Sequence, residues 1–273
     1  TPTLAWKVRD DFSIGIGLVT EYAKATLKNQ FFAGANGQGV DGTVRVQGDG
    51  VGFGFSAGML YEPFSGTKIG LGYRSRMTID LEVTAEARGR GAAAVRAAGL
   101  NTKSDGDAEL NLPSMVNFGI VQDIGENWRA MADISWTEWS VMDELTINFD
   151  KRFLGQKEST QVMKWNDNWR FALGGEYKIN DKFTLRSGVA FDQCTNSDKY
   201  RNTRLPDANR YWISAGLGYQ ATENLRLDFS LMHLFFEHVS YKQGANVGGN
   251  VYYTQGKELA SADIISIGMT YAF

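Results

Sequence analysis

Hydrophobic and polar side chains alternate along most of the chain. In the stretch 264–273, apolar residues occupy every second position from Ile265 to Tyr271, and the positions between them are mostly small or polar. Successive side chains of a β-strand point to opposite sides. The stretch is therefore predicted to be a strand with one apolar and one polar face.

Eleven segments carry this alternation. They cover residues 2–8, 12–28, 51–62, 67–84, 108–122, 128–149, 164–179, 183–193, 209–221, 225–241 and 259–273. Five short turns rich in Asp, Asn and Gly join strands into hairpins, at 9–11, 64–67, 124–127, 180–182 and 222–224. Longer polar connections join the hairpins, at about 30–49, 86–107, 151–163, 194–208 and 241–258. The chain is predicted to be all-β and antiparallel.

The apolar faces begin and end with aromatic residues, and all the short turns fall at one end of the strands. An apolar outer wall around a polar interior, with short turns at one end and long loops at the other, is typical of outer-membrane barrels. We predict one transmembrane antiparallel β-barrel domain, with about eleven strands, over residues 1–273. A soluble β-sandwich binding module is the alternative, because its strands also alternate.

The composition argues against several classes of function and structure. The net charge of −3 and the lack of a basic patch give no case for a nucleic-acid partner. Cys194 is the one cysteine, so no disulfide forms within the chain, and two histidines without a CxxC motif argue against structural zinc. No window approaches the roughly 20 apolar residues of a membrane helix. No metal or cofactor is expected.

The odd number of strands is unusual, because single-chain bacterial barrels have even numbers. With the last strand ending at the short-turn side, eleven strands place Thr1 at the opposite end. We therefore expect Thr1 not to be the native start and an odd number of strands to precede it.

Eight collinear segments point to a known family. They are 12–25, 52–61, 72–75, 110–115, 136–140, 186–192, 205–216 and 270–273. Together they resemble the outer-membrane long-chain fatty acid and aromatic hydrocarbon transporters, the FadL family, over essentially the whole chain.

This resemblance implies a 14-stranded barrel with an N-terminal hatch, of which the hatch and about three strands are absent here. It also implies passive diffusion of hydrophobic molecules through the bacterial outer membrane, by a protein that is not an enzyme. The implied partners are a fatty acid or hydrocarbon, outer-membrane lipid, lipopolysaccharide and the barrel assembly machinery. Gly268, Tyr271 and Phe273 match the C-terminal assembly signal of such barrels. A channel for aromatic hydrocarbons and a general porin are the alternatives.

The resemblance also suggests ligand residues. Two family positions with a basic residue that holds the ligand carboxylate match Asn29, with Lys28 beside it, and about Thr146. Neither Asn29 nor Thr146 is basic, so both positions depart from the family pattern. This favours a neutral hydrocarbon over a fatty acid as the cargo. Independently, inward-facing Met131, Trp212 and Met232 interrupt the polar interior, and adaptable apolar side chains would suit a ligand path.

Charged residues of both signs occupy inward positions on successive strands and are expected to pair. The predicted ladder comprises Arg74, Arg76, Arg129, Arg170, Glu176, Arg186, Asp192, Arg226 and Asp228. It neutralises the interior, holds a hatch, or does both.

His233 raises the question of an enzyme on the outer wall, because it falls on the lipid-facing side. Catalysis would require a nearby serine and a group that orients the imidazole. The strand neighbours Leu231 and Phe235 supply neither, and Ser266 on the next strand faces inward. Cys194 is expected to be exposed and incidental, near a loop.

Overall fold

The structure is a computed structural model that describes residues 1–35, 38–201, 207–247 and 250–272. Within these ranges the chain forms seventeen strands, one helix and one turn of 3₁₀ helix. The strands are β1 (Thr3–Arg9), β2 (Phe12–Ala35), β3 (Gln38–Tyr61), β4 (Thr67–Arg74), β5 (Met77–Arg88), β6 (Lys103–Leu112), β7 (Met115–Ile124), β8 (Trp128–Thr137), β9 (Glu144–Phe153), β10 (Gln156–Val162), β11 (Asn168–Lys178), β12 (Phe183–Asp192), β13 (Arg210–Gln220), β14 (Leu225–Phe236), β15 (Val239–Val247), β16 (Asn250–Glu258) and β17 (Ser261–Tyr271). The helix α1 spans Arg90–Ala97, and the 3₁₀ turn spans Trp139–Val141. Neither helical segment is long and apolar enough to cross a membrane.

Eleven strands pair in sequence to form the main wall. Their order is β1-β2-β3-β4-β7-β8-β11-β12-β13-β14-β17, and every pair is antiparallel. Each of the eleven predicted strands contains one strand of this wall. Four of them are each divided between two strands in the structure: 67–84, 108–122, 128–149 and 225–241. The five predicted turns all lie at one end of the wall, which we call the turn end; the opposite end is the loop end.

A second group of strands extends the wall at the loop end. The upper sheet consists of the loop-end halves of β2 and β3 together with β5, β6, β9 and β10. Parts of the chain predicted as the loops 30–49, 86–107 and 151–163 form these strands and α1. The predicted loop 241–258 instead contributes to a separate hairpin, β15–β16. The prediction was wrong there because these segments also alternate, as in Val44 and Val46 against Arg45 and Gln47.

The outer face of the main wall is apolar. Phe53, Leu173 and Ile267 are 67%, 63% and 74% exposed on this face. Aromatic pairs lie at both of its edges: the Trp128 and Tyr177 rings are 4.4 Å apart at the turn end, and those of Phe191 and Tyr211 are 5.2 Å apart at the loop end. Bands of aromatic rings at the two edges of an apolar surface match the two interfaces of a bilayer.

The upper sheet has the reverse polarity. Its inner face carries a buried apolar cluster, and its outer face carries charged side chains such as Arg45, Glu82 and Glu86. Helix α1 packs against the inner side, with Ala92 buried in the cluster. The cluster consists of Ile79, Leu81, Val83, Ala85, Ala87, Ala92, Ala108, Ile147, Phe149 and Phe153.

On β4 and β5 a β-bulge produces this reversal, whereas β2 and β3 run through it in unbroken register and change only in the side chains they carry. Ser56 pairs with Arg74 and Gly52 pairs with Ile79, so five steps along β4–β5 oppose four steps along β3. One extra residue moves every later side chain to the other face. Met77 is consequently buried on the inner side, where a Cβ on Gly54 would lie 2.5 Å from its Cγ.

Arg76 is displaced by the same bulge. It is exposed, whereas Ser75 and Met77 on either side of it are buried. The sequence pattern placed Arg76 on the inner face with Arg74, and this placement was wrong because unbroken alternation was assumed through the bulge.

Candidate functional site

The inner face of the main wall carries its side chains in cross-strand rows. Nearest the turn end is the lower charged row, in which Asp123, Arg129, Glu176 and Arg186 are direct neighbours in register on β7, β8, β11 and β12. Arg129 Nε lies 2.6 Å from Asp123 Oδ1, and Arg186 Nε lies 2.7 Å from Glu176 Oε2. Because charges of opposite sign alternate along the row, each side chain is next to a partner.

Arg186 also reaches across β13 to β14. Its Nη1 donates to Asp228 Oδ1 at 2.7 Å, and Arg226 Nε lies 3.2 Å from Asp228 Oδ2. Gly218 on β13 makes this crossing possible, because a Cβ there would lie 2.9 Å from Arg226 Nη2 and 3.1 Å from Asp228 Oδ1. The glycine leaves the space that the three charged groups fill.

Above this row lies an apolar belt two rows deep. The first row holds Met131, Gly174, Gly188, Ser214, Met232 and Ile264 in register. The second holds Ala172, Ala190, Trp212, Leu234 and Ala262, next to Asp133 on β8. Met131 and Met232 also line one cavity of about 410 Å³. The belt therefore brings the predicted ligand residues Met131, Trp212 and Met232 together.

An upper charged row borders the belt on the loop side. Ser135, Arg170, Asp192 and Arg210 are in register on β8, β11, β12 and β13. Arg210 Nη2 lies 3.0 Å from Asp192 Oδ2, whereas Arg170 Nη1 is 3.7 Å from its carboxylate partner, Asp133. Arg170 is thus the more loosely paired cation.

Trp212 connects this row to the belt. The Arg170 guanidinium carbon lies 5.5 Å from the centre of the Trp212 ring, a cation–π contact. Trp212 Nε1 and Arg210 Nε are buried and have no acceptor among the described residues. The Trp212 ring, the Arg170 guanidinium and the two N–H donors of Trp212 and Arg210 therefore lie at the loop-end edge of the belt.

A cavity of about 400 Å³ opens directly above. Arg74 Nη2 donates to Glu21 Oε2 at 2.5 Å on one side of it, and Asn168 Nδ2 donates to Asp192 Oδ1 at 2.7 Å on the other. Its lining combines polar and apolar side chains: Glu21, Arg74, Met77, Leu112, Pro113, Met115, Asn117, Ser135, Thr137, Trp139, Asn168, Arg170, Asp192 and Arg210. This composition suits a molecule with one polar end.

The three positions matched to the family's carboxylate site lie elsewhere. Asn29 and Lys28 are exposed in the upper sheet, opposite Val44 and Arg45. Thr146 lies on the face opposite buried Ile147, and its hydroxyl is 2.8 Å from that of Thr160. The structure therefore does not bring Asn29 or Lys28 together with Thr146, and none of them lies on the belt.

Sequence reasoning missed Asp123 and Arg210, which belong to the charged rows, and Glu21, which lines the cavity above the belt. Arg210 could have been found, because it is two residues from inward-facing Trp212 and so shares its face. Alternation within β2 and β7 also places Glu21 and Asp123 on the inner face, but their partners Arg74 and Arg129 follow only from the pairing between strands.

Sequence reasoning also missed the partner of His233 on the outer face. Asp263 on β17 lies in register with His233, and its Oδ1 is 2.6 Å from His233 Nδ1. The sequence-based conclusion that no group orients this imidazole was wrong, because it considered the neighbours on β14 and Ser266 but not Asp263.

The loop after β12 encloses Cys194, which is half-buried rather than exposed. Its backbone N–H donates to Asn209 Oδ1 at 2.7 Å, and its thiol donates to the Asn196 carbonyl at 3.3 Å. Burial raises the pKa of the Cys194 thiol, and the negative charge of Asp207 adds to this effect. The nearby Arg201 is buried and bonded to the Asp207 carbonyl at 2.9 Å, so the cluster has a structural role.

An antiparallel wall with an apolar outer face between aromatic bands and a charged inner face defines the class of outer-membrane β-barrels. The chain belongs to the outer membrane protein transport protein family (OMPP1/FadL/TodX), whose model matches residues 1–273. It is an outer-membrane protein, and the family resemblance of the eight segments is confirmed.

Named relatives agree with this assignment. Outer membrane protein P1 of Haemophilus influenzae is 28% identical over 81% of this chain and 47% of that protein. The long-chain fatty acid transport protein of Escherichia coli O6:H1 is 26% identical over 98% of this chain and 65% of that protein. The chain thus spans about half to two thirds of the length of these relatives.

Solved structures share the fold. A crystal structure of a Pseudomonas aeruginosa FadL homologue superposes with a TM-score of 0.89 at 23% identity, over 98% of this chain and 66% of that one. The Pseudomonas putida toluene transporter TodX gives a TM-score of 0.60 at 14% identity, over 98% of this chain and 67% of that one. The wall described above is therefore the transmembrane antiparallel β-barrel fold predicted from the alternation.

Proposed function

We propose that this protein carries hydrophobic small molecules through the outer membrane by passive, binding-assisted diffusion. The apolar belt is the observation that supports this most directly. A general porin is filled with water and does not require a largely apolar strip along the inner faces of β8, β11, β12, β13 and β14. No catalytic step or cofactor is part of the proposal.

The cargo that fits best has an apolar body and a single acid group, as a long-chain fatty acid does. Its chain would contact Met131 and Met232, and its carboxylate would reach Arg170 and the free donors of Trp212 and Arg210. A charge-assisted hydrogen bond to an arginine is stronger than one between neutral groups. The alternative cargo is a monoaromatic hydrocarbon, which would use the belt alone.

Binding of a fluorescent fatty acid to the detergent-solubilised protein tests the proposal. Met232→Asp places a charge in the belt and is expected to weaken binding about tenfold or more, since one buried unpaired charge outweighs 1.4 kcal/mol. Thr184→Asp is the matched control, because Thr184 lies on the inner face of β12 near the turn end and lines neither the belt nor its cavity. Equal binding by the two variants, or a steady ionic current through the unmodified protein in a planar bilayer, would favour the general porin.

Arg170→Leu separates the two cargoes. It should weaken fatty acid binding and leave the binding of a monoaromatic hydrocarbon such as toluene nearly unchanged. If both ligands are bound as before, Arg170 does not contact the acid group.

Interaction with outer-membrane lipid, lipopolysaccharide and the barrel assembly machinery is part of the proposal. Gly268 lies on the inner face of β17, and Tyr271 ends the strand on its outer face, 54% exposed. Phe273, the third residue of the predicted assembly signal, lies outside the described residues. Replacing Tyr271 with Lys should reduce the fraction of protein that reaches the outer membrane, measured by cell fractionation.

A further inference from the structure

The cavity above the belt holds more polar groups than an acid group needs. It measures about 400 Å³, whereas the carboxylate of the proposed cargo would use only Arg170, Arg210 and the Trp212 N–H. On its β7 and β8 side the cavity is also lined by Asn117 and Thr137. These two neutral side chains take no part in holding the acid group.

The Thr137 hydroxyl is enclosed and unpaired. Thr137 is only 6% exposed, and its hydroxyl makes no hydrogen bond within the described part of the chain. Its cross-strand neighbours are Met115, which carries no polar hydrogen, and Asn168. Both amide hydrogens of Asn168 are in use, because its Nδ2 donates to Asp192 Oδ1 at 2.7 Å and to the Gln193 carbonyl at 2.9 Å. A buried hydroxyl without a partner is costly unless a ligand or water pairs with it.

The backbone holds Thr137 firmly in place. At this position β8 is paired on both sides, with β7 and with β11. The next residue, Glu138, is clamped to the connection between β6 and β7, because its N–H donates to the Ser114 carbonyl at 3.0 Å and Ser114 Oγ donates to Glu138 Oε2 at 2.6 Å. A polar group on a rigid strand is oriented before the ligand arrives, which favours binding.

The Asn117 amide faces open space. It is half-buried, and its side chain makes no hydrogen bond to any described residue. Its neighbour in register on β4 is Gly72, where an added Cβ would have no atom within 4 Å. On the other side lies Ser135, whose hydroxyl donates to Asp133 Oδ1 at 3.2 Å. The amide can therefore donate and accept hydrogen bonds toward the cavity.

These two side chains lie near the cation that would hold the acid. Asn117, Ser135 and Arg170 are in register on three neighbouring strands, and Thr137 is two residues from Ser135 along β8. With strands about 4.8 Å apart, the Cα atoms of Asn117 and Arg170 are separated by about 10 Å. Both side chains line the one cavity. A ligand group that contacts Asn117 and Thr137 would therefore lie within a few carbon atoms of the acid group.

We propose that this cavity selects acids that carry a hydroxyl close to the acid group, such as 3-hydroxy fatty acids. The inference rests on the proposed transport function and narrows the cargo of the same site. The ligand hydroxyl would donate to Thr137 Oγ and accept from Asn117 Nδ2, because a hydroxyl is both a donor and an acceptor. A cargo that displaces water from these two groups without replacing its hydrogen bonds binds less tightly.

Competition against a fluorescent fatty acid on the detergent-solubilised protein tests this proposal. The competitors are hexadecanoic acid, 3-hydroxyhexadecanoic acid and 3-methylhexadecanoic acid, which differ only at the third carbon. The hydroxy acid is expected to bind about tenfold more tightly than the methyl acid, because the methyl group fills the same space and leaves both polar groups unpaired. The unsubstituted acid should resemble the methyl acid.

Variants locate the selectivity. Thr137→Val and Asn117→Leu remove the two polar groups while nearly keeping side-chain size, and each should lower the affinity for the hydroxy acid about threefold to tenfold. The affinity for the methyl acid should stay unchanged. Thr184→Val, on the inner face near the turn end, is the matched control and should keep the full preference. Each acid partitions into detergent equally for every variant, so a change in preference belongs to the protein. Migration on an unheated gel verifies that each variant is folded.

The proposal is overturned if the unmodified protein binds the hydroxy and methyl acids equally, or if the preference persists in both Thr137→Val and Asn117→Leu. Equal binding of the three acids would leave the transport function standing. Failure to bind any of them would overturn the transport function together with the selectivity. The same measurement therefore distinguishes the two failures.

Discussion

At the scale of single residues, the interior is defined by which charges meet. Glu176 is held from both sides, by Arg186 Nε at 2.7 Å and Arg129 Nη1 at 3.7 Å. The sequence placed Glu176, Arg186 and Asp228 on the inner face from alternation alone. It could not show that Arg186 bridges Glu176 and Asp228, because that contact depends on the register of four strands and on the glycine between them.

Glu176→Gln should lower the free energy of unfolding by about 1–2 kcal/mol, between the effects of exposed and buried pairs, because Glu176 is largely shielded. Urea unfolding in detergent micelles measures the loss. Glu223→Gln in an exposed turn is the control and should change stability little. An equal loss for both variants would contradict the role of the lower charged row.

The Cys194 thiol provides a prediction about pH. Because its pKa is raised, the thiolate is scarce near neutral pH, and alkylation by iodoacetamide should be slower in the folded protein than in the denatured one. The rate in the folded protein should keep rising with pH after that of the denatured protein has levelled off. Coinciding pH profiles, followed by mass spectrometry, would show that the loop does not shield this thiol.

At the scale of strands, alternation was sufficient to find all eleven members of the main wall and all five turns. It failed where β4 gives way to β5, because a bulge changes the face without changing the apolar and polar composition. It also failed in the upper sheet, where long polar connections were expected and paired strands occur. The alternation within one strand does not reveal whether its outer face contacts water or lipid.

The role of the space beside Gly218 on β13 can be tested by adding one side chain there. Gly218→Val would push against Arg226 and Asp228 and should destabilise the protein by about 1–3 kcal/mol. Gly72→Val on β4 is matched, because a Cβ there would have no atom within 4 Å. Both variants are compared by thermal unfolding, and equal melting temperatures would show that the charged crossing adapts without cost.

At the scale of the whole molecule, two surfaces of opposite character share the same strands. Lysine at Leu173, in the middle of the outer face, should cost about 2–4 kcal/mol in a bilayer and reduce assembly. Lysine at Glu82, on the outer face of the upper sheet, should be tolerated because that face meets water. Heat-modifiable migration on gels after folding into lipid vesicles separates the two; similar folded fractions would mean that the assumed bilayer position is wrong.

The bulge after Arg74 lies between two parts of the wall whose sequences can vary independently. On the turn side of the bulge, the outer side chains are apolar and the inner ones form ion pairs. On the loop side, the outer side chains are charged and the inner ones form an apolar cluster, as in water-soluble domains. On β4 and β5 a single inserted residue marks the boundary, and on β2 and β3 the side chains change without a break in register. Substitutions in the upper sheet can therefore accumulate without disturbing the apolar outer face of the main wall.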